Sequence, residues 1–203
     1  MSDTNAEIMV PYLVQARPDT TVYNAKMGIW LFLASEVMLF GALFSSYILL
    51  RAGAAHWPNQ SVVMDLRIGT TNTLVLIVSS MTMVMSWASL KEKDLRKFRM
   101  YLGATIFLGF AFLFFKTIEY GVHFRDGLFP KTNVFLAIYY LTTGLHALHV
   151  TGGIIVNSYF IGPGSRLWQT CPEQFTNRIE VAGLYWHFVD IVWILLFTTH
   201  YLL

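Results

Sequence analysis

Five long, predominantly apolar stretches decide what this chain can fold into. They cover residues 27–50, 69–90, 98–120, 132–161 and 179–203, each bounded by charge or by turn formers. A helix needs roughly 20 apolar residues to cross a hydrocarbon core about 30 Å thick, and within lipid only helices and closed barrels satisfy the whole backbone. The stretches are too long for barrel strands and do not alternate. The expected fold is therefore all-α: an integral membrane bundle of five transmembrane helices over 26–203, preceded by a polar segment, 1–25. Only 13% of the residues are charged while 55% are hydrophobic, about half the usual supply of solubilising groups.

Several classes of function fall away at once. A net charge of +2 and the lack of a basic stripe interleaved with aromatics argue against nucleic acid. Cys171 is the single cysteine, so neither an internal disulfide nor a cysteine zinc site can form. The first 25 residues are mixed and polar, broken by Pro11 and Pro18, and do not read as a cleavable signal. The chain is expected to enter the membrane by its own spans, with no separate soluble domain.

Orientation follows from Lys and Arg. With five spans, the N-terminus and the 91–97 and 162–178 connections share a side. That side carries Arg17, Lys26, Lys91, Lys93, Arg96, Lys97, Arg99, Arg166 and Arg178. The other side has Arg51, Arg67, Arg125 and Lys131, with Lys116 near a helix end. Nine against five places the N-terminus in the cytoplasm and the C-terminus outside.

Ionisable side chains at membrane depth are costly and are candidates for function. Glu36 stands alone in its span, about nine residues or roughly 14 Å along the helix. A helical projection sets it among Ile29, Phe32, Leu33, Phe40, Leu43 and Tyr47, away from a small-residue stripe of Ala34, Gly41, Ala42 and Ser45 suited to close helix contact. Loss of water in such surroundings favours the neutral acid. Glu36 then either donates one hydrogen bond to a nearby carbonyl or exchanges protons and meets lipid. "TGLHALHVTGG" places His146 and His149 one turn apart, and "RIEVAGLYWHFVDIVW" places Glu180, His187 and Asp190 along one face. These five can be a buried structural cluster joining the fourth and fifth helices, or a nitrogen–oxygen metal site. Histidines one turn apart cannot clamp one haem from both sides. Lys116 and Glu119 read as a local pair at the interface, the lysine snorkelling outward.

Taken together, "SEVMLF", "LGFAFLFFKTIEY", "DGLF", "GLHALHV" and "EVAGLYWHFVDIVW" occur in the order found in subunit III of the haem–copper terminal oxidases, and the chain resembles that family from about Gly28 to Tyr201. It is similar to the five-helix bacterial form. Longer members have two further helices that form one wall of a lipid-filled cleft.

The resemblance implies an accessory, non-catalytic subunit of a proton-pumping oxygen reductase in aerobic respiration, most simply a cytochrome c oxidase in a bacterial plasma membrane. It would pack against subunit I, with subunit II and small subunits as further partners and a respiratory supercomplex as a wider setting. Haem and copper would belong to the partners, and phospholipid would be bound. The implied roles are support of proton uptake and protection during turnover. Glu36 matches the family glutamate that reacts with hydrophobic carbodiimides. His146, His149, Glu180, His187 and Asp190 match family positions and are read as structural. Arg166 and Arg178 are lipid-headgroup candidates by charge and position. A quinol oxidase subunit is the alternative within the class. A stand-alone ion or proton transporter is the alternative outside it, but it would call for an inverted repeat, broken helices or several mid-membrane charges.

Overall fold

The helices end where local chemistry ends them. In the computed structural model, which describes residues 23–58 and 66–202, five long helices follow one another: α1 (Asn24–Gly53), α2 (Leu66–Lys91), α3 (Leu95–Arg125), α4 (Val134–Ile161) and α5 (Pro172–Phe197). A 3-10 turn (Pro163–Arg166) and a short helical turn (Leu167–Thr170) join α4 to α5, and a π-helical turn (Thr198–Leu202) extends α5. The polar segment expected over 1–25 lies, up to residue 22, outside the described residues.

Asp94 caps α3, accepting from the backbone N–H groups of Arg96 and Lys97 at 3.0 Å each. The Lys97 N–H bond holds its carboxyl below the ordinary value of 3.8. Lys93, at φ 60°, turns the chain between α2 and α3. Asn133 caps α4 through the Leu136 N–H at 2.7 Å, and Pro172, at the first position of α5, has no N–H to leave unpaired.

All five helices are long and apolar enough to cross a membrane. Two begin or end well beyond the apolar stretches. α3 runs from 95 to 125 where hydropathy alone gives 98–120, so that Arg96, Lys97 and Arg125 lie on its end turns rather than outside the helix. α5 starts at 172 rather than 179; its polar first turns bury Phe175 against Phe98, Phe160 and Trp168.

Helices α2, α3, α4 and α5 form a closed ring of neighbours, and α1 lies outside it against α4 and α5. α2 shows why. Its buried residues, Gly69, Asn72, Leu76, Ser79, Met83, Ser86, Leu90 and Ser89, are mostly spaced by three and four, the a/d pattern of a helix packed along its length. On α1 only Leu33, Phe40 and Tyr47 are buried, one every seven residues. The inward stripe of α1 is thus the bulky face that carries Glu36. Ala34, Gly41, Ala42 and Ser45 all face outward, and a Cβ at Gly41 would meet nothing within 4 Å. The small-residue stripe makes no close contact among the described residues. The bulky stripe meets α4 and α5 through its rings, Phe32 against Tyr185 and Phe40 against His149 and Phe188.

Candidate functional site

Glu36 is brought to a histidine. His149, on α4, places Nε2 3.0 Å from Glu36 Oε2, and each side chain is 14% exposed. The Phe40 ring meets the imidazole edge-on at 5.3 Å. His149 Nδ1 lies 2.8 Å from the Leu145 carbonyl. A carbonyl only accepts, so Nδ1 carries a hydrogen. Nε2 and Glu36 therefore share one proton: either the acid donates to the imidazole, or the imidazolium donates to the carboxylate. Both arrangements are neutral overall. Tyr185 on α5 donates to the His149 carbonyl at 3.0 Å and closes the site from the third side.

The other sequence-selected residues do not gather into one cluster. His146 is fully buried between the rings of Phe112 and Trp193, at 5.5 and 5.3 Å, and neither nitrogen has a hydrogen bond among the described residues. It stands about 60° around the helix from His149. At a junction of several helices, that angle is enough to send two side chains to different neighbours. Glu180 joins Lys26 at 2.6 Å and accepts from the Tyr23 hydroxyl at 3.3 Å, tying α5 to the start of α1. His187 Nδ1 pairs with Ser80 Oγ on α2 at 2.6 Å. Asp190 is buried beside the same serine. Glu180 and His187 are seven residues apart, roughly 10 Å along the axis, too far to share a partner.

Lys116 and Glu119 do pair, at 2.9 Å, but in the interior; the lysine does not snorkel. Their side chains are 4% and 1% exposed. Lys116 Nζ also donates to the hydroxyls of Tyr139 and Tyr201 at 3.0 Å each, and both hydroxyls donate to Glu119 Oε1. The ammonium has three N–H bonds and three acceptors, so it is fully satisfied without reaching the interface.

Arg166 is exposed on the 3-10 turn. Arg178, half-buried, stands at one end of an apolar groove of about 390 Å³ lined by Ile29, Phe32, Val156, Phe160 and Tyr185. Among the described residues, no three His, Cys, Asp or Glu side chains come together as metal ligands would.

Sequence reasoning missed the tyrosines of the Lys116 network and the polar seam of α2. In that seam Ser79 accepts from the Trp186 indole N–H at 3.0 Å, and Thr82 meets Thr105 of α3 at 2.8 Å. The signal was present: Asn72, Ser79 and Ser86 recur every seven residues, a polar stripe that no lipid-facing surface would favour.

Fold and site define a polytopic α-helical membrane protein in which several buried polar groups join one helix to another. The family model described as cytochrome c oxidase subunit III matches residues 14–203. The chain is 37% identical over 177 residues to cytochrome c oxidase subunit 3 of Thermostichus vulcanus, covering 87% of this chain and 86% of that one. It is 33% identical over 183 residues to the protein of the same name from Alkalihalophilus pseudofirmus, covering 89% and 87%. A probable cytochrome c oxidase subunit 3 of Nocardia farcinica is 35% identical over 176 residues, covering 86% of each. The chain belongs to the cytochrome c oxidase subunit III family. It is thus a multi-pass membrane protein, and membership implies assembly with other oxidase subunits.

Proposed function

We propose that this chain is an accessory subunit of a proton-pumping haem–copper oxygen reductase that takes electrons from cytochrome c, and that it braces subunit I. It sits in the plasma membrane with its N-terminus in the cytoplasm. The redox centres lie in the partner subunits, and phospholipid covers part of its surface, with Arg166 and Arg178 toward the headgroups. Its contribution is to sustain proton uptake and to prolong the working life of the catalytic subunit.

The observation that carries this reading is the use made of the polar side chains. Lys26–Glu180, Glu36–His149, Ser80–His187 and Lys116–Glu119 are helix-to-helix or local pairs. They are spread over different depths and different helix junctions, and do not line up as a relay from one surface to the other. Such an arrangement fits a brace better than a channel or transporter.

The test compares the purified oxidase with and without this chain. Expected is a similar initial rate of oxygen reduction and an unchanged haem spectrum. Without the subunit, the number of turnovers before inactivation should fall several-fold. An altered haem spectrum, or an unchanged lifetime, would overturn the reading.

A further inference from the structure

The π-helical turn Thr198–Leu202 reaches side chains or backbone of all four other long helices. On α1, the Tyr47 hydroxyl donates to the Thr199 carbonyl at 2.8 Å, and its ring lies 4.9 Å from His200. On α2, Gly69 faces Tyr201 so closely that a Cβ there would come within 2.8 Å of the tyrosine ring. On α3, Tyr201 donates to Glu119 and accepts from Lys116. On α4, Thr142 Oγ1 lies 3.4 Å from His200 Nε2, and the hydroxyls of Tyr139 and Tyr201 are 3.2 Å apart.

We propose that this turn is a clasp: seating Tyr201 in the Lys116–Glu119 pair closes the C-terminal end of the bundle and thereby holds the end of α1 in place. The chemistry makes the seating close to all-or-none. Lys116 has three N–H bonds and Tyr201 takes one of them; Glu119 Oε1 takes one of its two hydrogen bonds from the same hydroxyl. Withdrawal of the ring strips a partner from a buried cation and from a buried anion together, and unpaired charge in a low-dielectric interior is strongly disfavoured. Gly69 supplies the space, because both Tyr201 and Phe197 occupy the volume a side chain would need.

The seated turn then presents Thr199. Carbonyls in the last turn of a helix lack partners within the helix, and this one is taken by Tyr47. α1 buries only Leu33, Phe40 and Tyr47 among its neighbours. One of those three therefore depends on the position of the clasp, so opening the turn loosens the far half of α1 while leaving its Lys26 and Glu36 ties intact. The inference concerns closure of the bundle and does not depend on what the oxidase subunit contributes to turnover.

The test uses the purified oxidase complex with the full chain and follows backbone hydrogen exchange by mass spectrometry. Tyr201→Phe removes one hydroxyl bonded to charged groups. Such bonds contribute enough to change an opening equilibrium by about 10- to 100-fold. Exchange is expected to rise to that extent in residues 198–202 and in α1 from Leu43 to Gly53, with residues 24–36 unchanged. Gly69→Ala, which alters no polar atom, should give the same pattern by displacing the ring. Tyr120→Phe serves as the control: it removes a half-buried hydroxyl 2.6 Å from Thr143 but lies outside the clasp, and should leave α1 unchanged. A rise confined to residues 198–202 in Tyr201→Phe would overturn the clasp, as would an equal rise along the whole of α1. Should Tyr201→Phe fail to assemble, Tyr47→Phe decides the matter. It must raise exchange in residues 198–202 as well as in α1, and an effect limited to α1 refutes the coupling.

Discussion

Glu36 shows how far one residue can be read from sequence and where a partner changes the answer. Its desolvated setting and its isolation within the span are visible in the letters. What they cannot show is that His149, more than a hundred positions away, meets it across α1 and α4. With Nδ1 of that histidine committed to the Leu145 carbonyl, Glu36→Gln keeps a neutral contact, because the amide can donate to Nε2. The complex is therefore expected to assemble with normal yield and unchanged heat stability, while labelling by a hydrophobic carbodiimide disappears. His149→Leu should behave differently. It leaves the carboxyl without its hydrogen-bond partner in an apolar setting, at a cost of about 1–3 kcal/mol. Heat denaturation of the purified complex measures this, and a variant as stable as the parent would show that the bond contributes nothing.

At the level of elements, all five helices were legible because each must present a long apolar run to lipid, a demand that no tertiary contact can relax. Their ends and their inward faces were less so. Charges at Arg96 or Arg125 look like termini, yet a helix 31 residues long spans roughly 46 Å and carries such residues beyond the hydrocarbon. Which face of α1 turns inward was not legible, since the small-residue stripe suits close packing in general but faces away from α4 and α5, and the bulky face meets them instead. Where small residues do matter is Gly153. A Cβ there would lie 2.7 Å from the ring of the buried Trp186, so the two helices approach at a distance only glycine permits. Gly153→Ala should destabilise the complex by about 1–3 kcal/mol through overpacking, whereas Gly144→Ala, with nothing within 4 Å, should not. Equal melting temperatures for the two variants would contradict the packing argument. The cap of α3 adds a pH dependence. The Asp94 carboxyl is held below its ordinary value by the Lys97 N–H, so its contribution is complete above that ordinary value and is lost as pH falls through the depressed one. Asp94→Asn keeps the cap but not the charge. The stability difference between parent and variant, followed by heat denaturation from pH 6 to 3, should be constant at first and then shrink below about pH 4.

For the whole molecule the open quantity is direction. An odd number of crossings would put the two ends of the bundle on opposite sides of the membrane, and the Lys/Arg bias of nine to five is what supports the sense proposed above. Hydropathy fixes the number of crossings but is symmetric about the bilayer, so orientation rests on flanking charge alone. The chain carries its own reporter. Cys171 is the single cysteine, is exposed, and lies between α4 and α5, on the same side as the start of α1. If positive charge is retained on the cytoplasmic face, a membrane-impermeant maleimide should not label this subunit in intact spheroplasts and should label it in inverted vesicles. Substituting Cys171→Ser must abolish the signal, which excludes labelling of partner chains. Labelling in intact spheroplasts would reverse the topology. It would also move Lys26–Glu180 and the Arg178 end of the apolar groove to the outer surface, and carry the Lys116–Tyr201 clasp to the cytoplasmic side.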